Sequence, residues 1–115
     1  MKYALFLYDT EAFETMSEAE QAAIIRQYAA YSELLEKAGA FVFGEPLDHS
    51  GTSKTLRPSG DVQDGPYSDT HEQLGGLYII ETPSHAAAME WARKCPSHTH
   101  GGHVEVRPIP NYVDA

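Results

Sequence analysis

The chain has 115 residues, enough for one domain and too few for two independent cores. Eight Lys and Arg stand against 17 Asp and Glu, a formal net charge of −9, and protonating all six histidines brings it only to about −3. That excess of acid argues against non-specific nucleic-acid binding and against an anionic membrane surface, both of which need clustered cations. Apolar residues make up 42% and charged residues 22%, the balance of a folded chain.

Tyr3-Ala4-Leu5-Phe6-Leu7-Tyr8 is an apolar run ended by Asp9 and reads as a buried strand. It is too short for a signal peptide's apolar region, and no run approaches the ~18 residues of a membrane span. With Cys95 the single cysteine, no internal disulfide forms, and a cytoplasmic location is expected. After a polar connection over 10–16, Ser17-Glu18-Ala19-Glu20 matches a capping box. Ile24, Tyr28, Tyr31, Leu35 and Ala38 then recur every three or four residues, so a helix of about 21 residues with one apolar face is predicted. Lys37 suits its last turn and Gly39 its C-terminal cap.

Residues 40–45 read as a second strand, stopped by Pro46, and 47–53 as loop. Residues 54–57 form a short strand before the turn cluster Pro58-Ser59-Gly60-Asp61. A second turn signal, Asp64-Gly65-Pro66, follows. Leu77 to Glu81 is a clear strand, and Gly75-Gly76 before it predicts a bulge or a close backbone approach. Thr82 is read as the cap of a second helix with Pro83 in its first turn. Ala88, Trp91, Ala92 and Cys95 form its apolar stripe and Pro96 its stop. Cys95 on that stripe reads as a buried, inert thiol. His103 to Arg107 alternates with period two and makes the last strand.

This order, β-α-β-β(β)-α-β, predicts an α+β fold of ferredoxin-like type, with both helices on one face of a mainly antiparallel sheet. The other face is apolar and open. Two such sheets facing each other in a homodimer would cover it.

From Asp64-Gly65-Pro66-Tyr67 through His71-Glu72-Gln73-Leu74-Gly75-Gly76-Leu77-Tyr78 the chain resembles the YCII-related proteins of the DGPF branch, whose pattern is close to DGPF-x-E-x-K-E-x-L-G-G-Y-Y. Gly44-Glu45-Pro46-Leu47, Glu90-Trp91-Ala92 with Cys95-Pro96, and Val104 to Pro108 resemble that family's flanking motifs. The likeness extends over nearly the whole chain, so residues 1–110 are taken as one such domain and 111–115 as a tail. Three positions depart from the pattern: Tyr67 replaces Phe, Asp69 replaces Glu and His71 replaces Lys. The resemblance implies a dimeric α+β barrel. The wider superfamily includes a chlorohydroquinone dehydrochlorinase thought to use a His–Asp pair. Its histidine position falls near Tyr28 here, and the first helix has no histidine, so that pair is not carried over. The resemblance also implies a second role, as a regulatory module beside an extracytoplasmic-function sigma factor.

Candidate chemistry concentrates in the Asp64–Glu72 segment. An acid–base site needs a base near neutrality and a group that orients it. His71 with Asp64 or Asp69 fits that need as a catalytic pair, while Tyr67 and Glu72 suit ligand contacts. Asp-Gly-Pro is equally a plain turn, with Asp bonding backbone amides. Glu45 and Arg57 each lie in or beside an apolar strand and are a second pair of ligand-binding candidates, or a surface ion pair. His98, His100 and His103 would project from a glycine-rich loop, His98 and His100 to one side if the backbone is extended. No local carboxylate completes a metal motif, so no metal and no cofactor is assigned. The expected activity is binding of a small polar or aromatic molecule, with lyase- or isomerase-type acid–base chemistry.

Overall fold

The computed structural model describes residues 1–10, 13–68 and 71–112. Four strands form one antiparallel sheet: β1 (Lys2–Thr10), β2 (Phe41–Pro46), β5 (Glu72–Glu81) and β6 (His103–Ile109), in the order β2-β5-β1-β6. Between β2 and β5 the chain makes a separate two-stranded hairpin, β3 (Lys54–Leu56) and β4 (Val62–Asp64). Helices α1 (Glu18–Lys37) and α2 (His85–Lys94) and the single-turn helix α3 (Pro96–Thr99) complete the fold. This is the ferredoxin-like α+β arrangement that the element order predicts.

Alternation along β1 decides which side becomes core. Tyr3, Leu5 and Leu7 are buried against Tyr31 and Leu35 of α1 and Ala88 and Ala92 of α2. Tyr78 and Ile80 of β5 share that face, since Tyr78 lies opposite Leu5 and Ile80 opposite Tyr3. The core phenols are satisfied: Tyr31 donates to the Trp91 carbonyl at 2.7 Å, and Tyr78 and Ser32 share a hydrogen bond at 2.9 Å. Cys95 is fully buried, and burial pushes its thiol up from the ordinary value, so it stays protonated.

The opposite face carries Phe6, Leu77, Ile79 and Phe43, with Glu105 and Arg107 toward the β6 edge. No helix covers it. The molecule is accordingly a slab of 44 × 40 × 18 Å with a radius of gyration of 15.6 Å. A compact chain of this length would have roughly 13 Å.

The local signals of α1 hold. Ser17 is its N-cap, its hydroxyl accepting the Glu20 amide at 3.2 Å and donating to the Glu20 carboxylate at 3.1 Å. Ser17→Ala is expected to cost about 1 kcal/mol and roughly 4–5 °C in Tm by calorimetry. The second helix begins later than the sequence suggests. Its cap is Ser84, accepting the Ala87 amide at 3.1 Å, while Thr82 is buried and donates to the Ser84 carbonyl at 2.9 Å. Pro96 ends one helix and also opens the next. A proline needs no amide partner in a first turn, so the same residue does both. His98 therefore lies on a helical turn, with His100 as its cap, rather than on an extended segment.

Candidate functional site

β1 stays in phase to its end. Asp9 has the same parity as Tyr3, Leu5 and Leu7, so its carboxylate points to the helix side of the sheet. It emerges beyond the core, where α3 crosses the strand. There Ser97, buried to 1% exposure, donates its hydroxyl to Asp9 Oδ2 at 3.1 Å. Ser97 Oγ also lies 2.5 Å from the Tyr28 hydroxyl of α1. Serine has one proton, so when it goes to an ionised Asp9 the Tyr28 phenol must donate to Ser97. The result is a directed chain, Tyr28 to Ser97 to Asp9, assembled from residues up to 88 positions apart.

The electrostatics set the two ends apart. Burial raises the Asp9 carboxyl above the ordinary carboxylate value, the Ser97 hydrogen bond pulls it down, the Glu72 charge raises it and His100 lowers it, with a net rise. Burial dominates at Tyr28 too and pushes its phenol well up, so Tyr28 is a proton donor and not a phenolate. A half-buried carboxyl moved toward neutrality beside a fixed donor chain is suited to take a proton and return it.

These groups line a cavity of about 460 Å³. Its walls are mainly apolar, with Leu7, Ile24, Phe13, Pro46 and Leu47 among the contributors. That size and character suit a single aromatic ring with a few polar substituents.

Glycines let the backbone close around Asp9. A Cβ on Gly102 would stand 2.5 Å from Asp9 Oδ1, 2.6 Å from the Tyr8 carbonyl oxygen and 2.9 Å from that of Ser97. The Gly102 amide instead donates to the Ser97 carbonyl at 2.7 Å, tying α3 to the start of β6. On the other flank Gly75 is the extra residue of a bulge in β5, opposite the Leu7–Tyr8 step. A bulge is one of the two outcomes predicted for Gly75-Gly76.

The residues proposed from sequence are distributed differently. Glu45 belongs to the cavity lining, but the β2 register sets it opposite Leu77, on the uncovered face of the sheet. Glu72 lies across the sheet from Asp9, paired with His103 on the face that also carries Tyr8, and acts on Asp9 through its charge. Asp64 is exposed on the hairpin and binds Lys54 at 2.8 Å rather than the amides of its own turn. Arg57 is also exposed and binds the Gln63 amide oxygen, not Glu45 or Asp64. Tyr67 is 83% exposed. His71 is exposed too, and none of Asp64, Arg57, Tyr67 or His71 lines the cavity. Asp69 lies outside the described residues, as do 113–115 of the expected tail. The three late histidines separate: His103 pairs with Glu72, His100 with Gln27, and His98 is exposed on α3. Among the described residues no group of His, Cys, Asp and Glu has the geometry to hold a metal ion. No helix among them is long and apolar enough to cross a membrane.

Sequence reading missed Asp9 and Ser97. For Asp9 the signal was present: it continues the odd-numbered series of core residues on its strand. Ser97 carries no comparable local mark.

Residues 1–112 match the YCII-related domain. The chain belongs to the YCII-related family. An uncharacterized protein of Rhizobium meliloti is 32% identical over 117 residues, covering 97% of this chain and 94% of that one. Among solved structures, the chain is similar to the 5-chloro-2-hydroxyhydroquinone dehydrochlorinase TftG of Burkholderia phenoliruptrix, in a complex with 2,5-dihydroxybenzoquinone. The TM-score is 0.58 at 17% identity, over 96% of this chain and 95% of that one. At that identity the likeness establishes a shared α+β fold and carries no residue roles.

Proposed function

We propose that this YCII-related protein binds a hydroxylated ring compound in the 460 Å³ cavity and performs acid–base chemistry of lyase or isomerase type on it. The observation that carries the reading is Asp9, raised by burial and joined through Ser97 to Tyr28 at the cavity wall. Ionised Asp9 takes a proton from a ring hydroxyl or from carbon beside a carbonyl. The ring carbon that bears the leaving group takes up the proton, and in the ketone form so produced a second hydroxyl deprotonation expels the leaving group with its bonding pair; with no leaving group the same proton shift moves a double bond. Tyr28 and Ser97 hold Asp9 in place and return the proton. The likeness to a dehydrochlorinase of a hydroxylated ring supports this class of reaction.

In the same reading two copies pair through the sheet face that carries Phe6, Leu77 and Ile79. An apolar face of this kind is rarely left in water, and light scattering should give the mass of a dimer. A monomer at micromolar concentration would refute the pairing.

The function is tested by incubating the protein without oxygen with 5-chloro-2-hydroxyhydroquinone and measuring chloride release, alongside thermal shift with hydroquinone. Saturating ligand should raise Tm, because only the folded chain has the cavity. Tyr28→Phe should lower turnover about tenfold or more while changing the hydroquinone Kd less than about threefold, the mark of a proton donor rather than a binding contact. Absence of both a thermal shift and chloride release would refute the reading for this class of ring.

A further inference from the structure

The charges lining the cavity are one-sided. Its described lining includes Asp9, Glu14 from the turn after β1 and Asp48 just beyond β2, while the fourth acidic residue of the lining, Glu45, is set by the β2 register on the uncovered face of the sheet. It contains two histidines, His49 and His100, and no lysine or arginine. His49 is engaged in capping the turn at 50–52, with Nδ1 accepting the Gly51 amide at 2.9 Å. His100 is held by Gln27. An anionic ligand entering this apolar space would shed its hydration and meet no permanent cation. Low-dielectric walls with charges of one sign also focus the field, and here they focus it negative. The chain's net charge of −9 adds to that field rather than offsetting it.

Resting on the ring-binding reading above, we propose that the cavity selects its ligand by charge: it takes a ring bearing hydroxyls or a protonated amine and rejects one bearing a carboxylate or phosphate. The hydroxyls donate to Asp9, which as a carboxylate only accepts. An amine substituent meets the negative field of Asp9, Glu14 and Asp48. The rule separates this chain from its structural neighbour. 2,5-Dihydroxybenzoquinone, the compound bound to TftG, is a vinylogous diacid that loses its protons readily in water, so it falls among the rejected ligands here.

The test uses one ring with three substituents: hydroquinone, 2,5-dihydroxybenzylamine and 2,5-dihydroxybenzoate, each titrated calorimetrically at neutral pH without oxygen. The amine should bind at least about tenfold tighter than the benzoate, with hydroquinone between them. Raising salt from about 10 mM to about 0.5 M, which shortens the Debye length from ~30 Å to ~4 Å, should narrow that ratio. The double variant Glu14→Gln, Asp48→Asn should also narrow it, by about threefold or more. Equal or tighter binding of the benzoate would overturn the charge rule and leave the cavity reading standing. Binding by none of the three would overturn both. A ratio that salt and the double variant leave unchanged would show that shape, not charge, separates the ligands, and would also overturn the rule.

Discussion

Gly102→Ala should destabilise the protein by about 3 kcal/mol, lowering Tm by roughly 10–15 °C. Two of the three atoms the new methyl would strike are backbone carbonyl oxygens, of Tyr8 and Ser97, at 2.6 and 2.9 Å. Carbonyls fixed in a strand and a helix turn cannot rotate aside as a side chain can. The third, Asp9 Oδ1 at 2.5 Å, belongs to the proposed base, so the same substitution should displace the carboxylate from Ser97. Chemical denaturation of the single and double variants separates the contributions. If Asp9→Ala restored the stability of Gly102→Ala, the clash would lie with the carboxylate alone and the backbone argument would fail. Gly101 differs in kind. Its φ of +90° disfavours any side chain, but nothing crowds its Cβ position, so Gly101→Ala should cost only about 1 kcal/mol.

Asp9→Asn should lower turnover of a ring substrate by about 10²–10⁴-fold, the usual contribution of a positioned general base. The same change should raise stability at neutral pH. The sign follows from the direction of the Asp9 shift. Burial raises its folded-state pKa, so the native chain keeps a proton that the unfolded chain releases near pH 3.9. As pH rises from about 4 through the raised native value, the unfolded state is increasingly favoured and Asp9 costs stability. Asparagine removes the ionisation and keeps an acceptor for the Ser97 hydroxyl. The Tm gain of the variant should be absent near pH 3.5, grow with pH, and level off once native Asp9 is ionised. A variant that is less stable than the parent at neutral pH would contradict the burial argument. Loss of turnover without a stability gain would place Asp9 in the chemistry but not in a desolvated setting.

Much of this fold was legible because its signals are local. Ser17 and Glu20 mark a helix start three residues apart, and the alternation of β6 needs only neighbours to be seen. The second helix was misplaced at its start because Thr82 and Ser84 are both good caps. Tertiary packing decided between them: Thr82 is buried at the end of β5, where its amide donates to the Met1 carbonyl at 2.9 Å. The site was harder for a different reason. Asp9, Tyr28 and Ser97 meet only after the sheet has formed, and no window of sequence contains two of them. The Asp64–Glu72 segment drew the reading because it gathers many functional groups in a few residues. In the fold most of those groups are spent on the hairpin or exposed, and Glu72 reaches the site by its field alone. Local density of polar residues is a poor guide to convergence in space.

The bulge at Gly75 governs more than strand shape. Because of it, Asp9 stands opposite Gln73 and Tyr8 opposite Leu74. Continuous pairing from Leu7 and Gly76 would have put Leu74 beside the acid and turned Gln73 to the other side of the sheet. Whether Gly75 is bulged or paired therefore decides whether an amide or a leucine flanks the carboxylate, with no side chain replaced. Backbone geometry alone thus sets the polarity of this pocket wall, and a chain that paired straight through Gly75 would turn a greasy side to the acid without a single substitution.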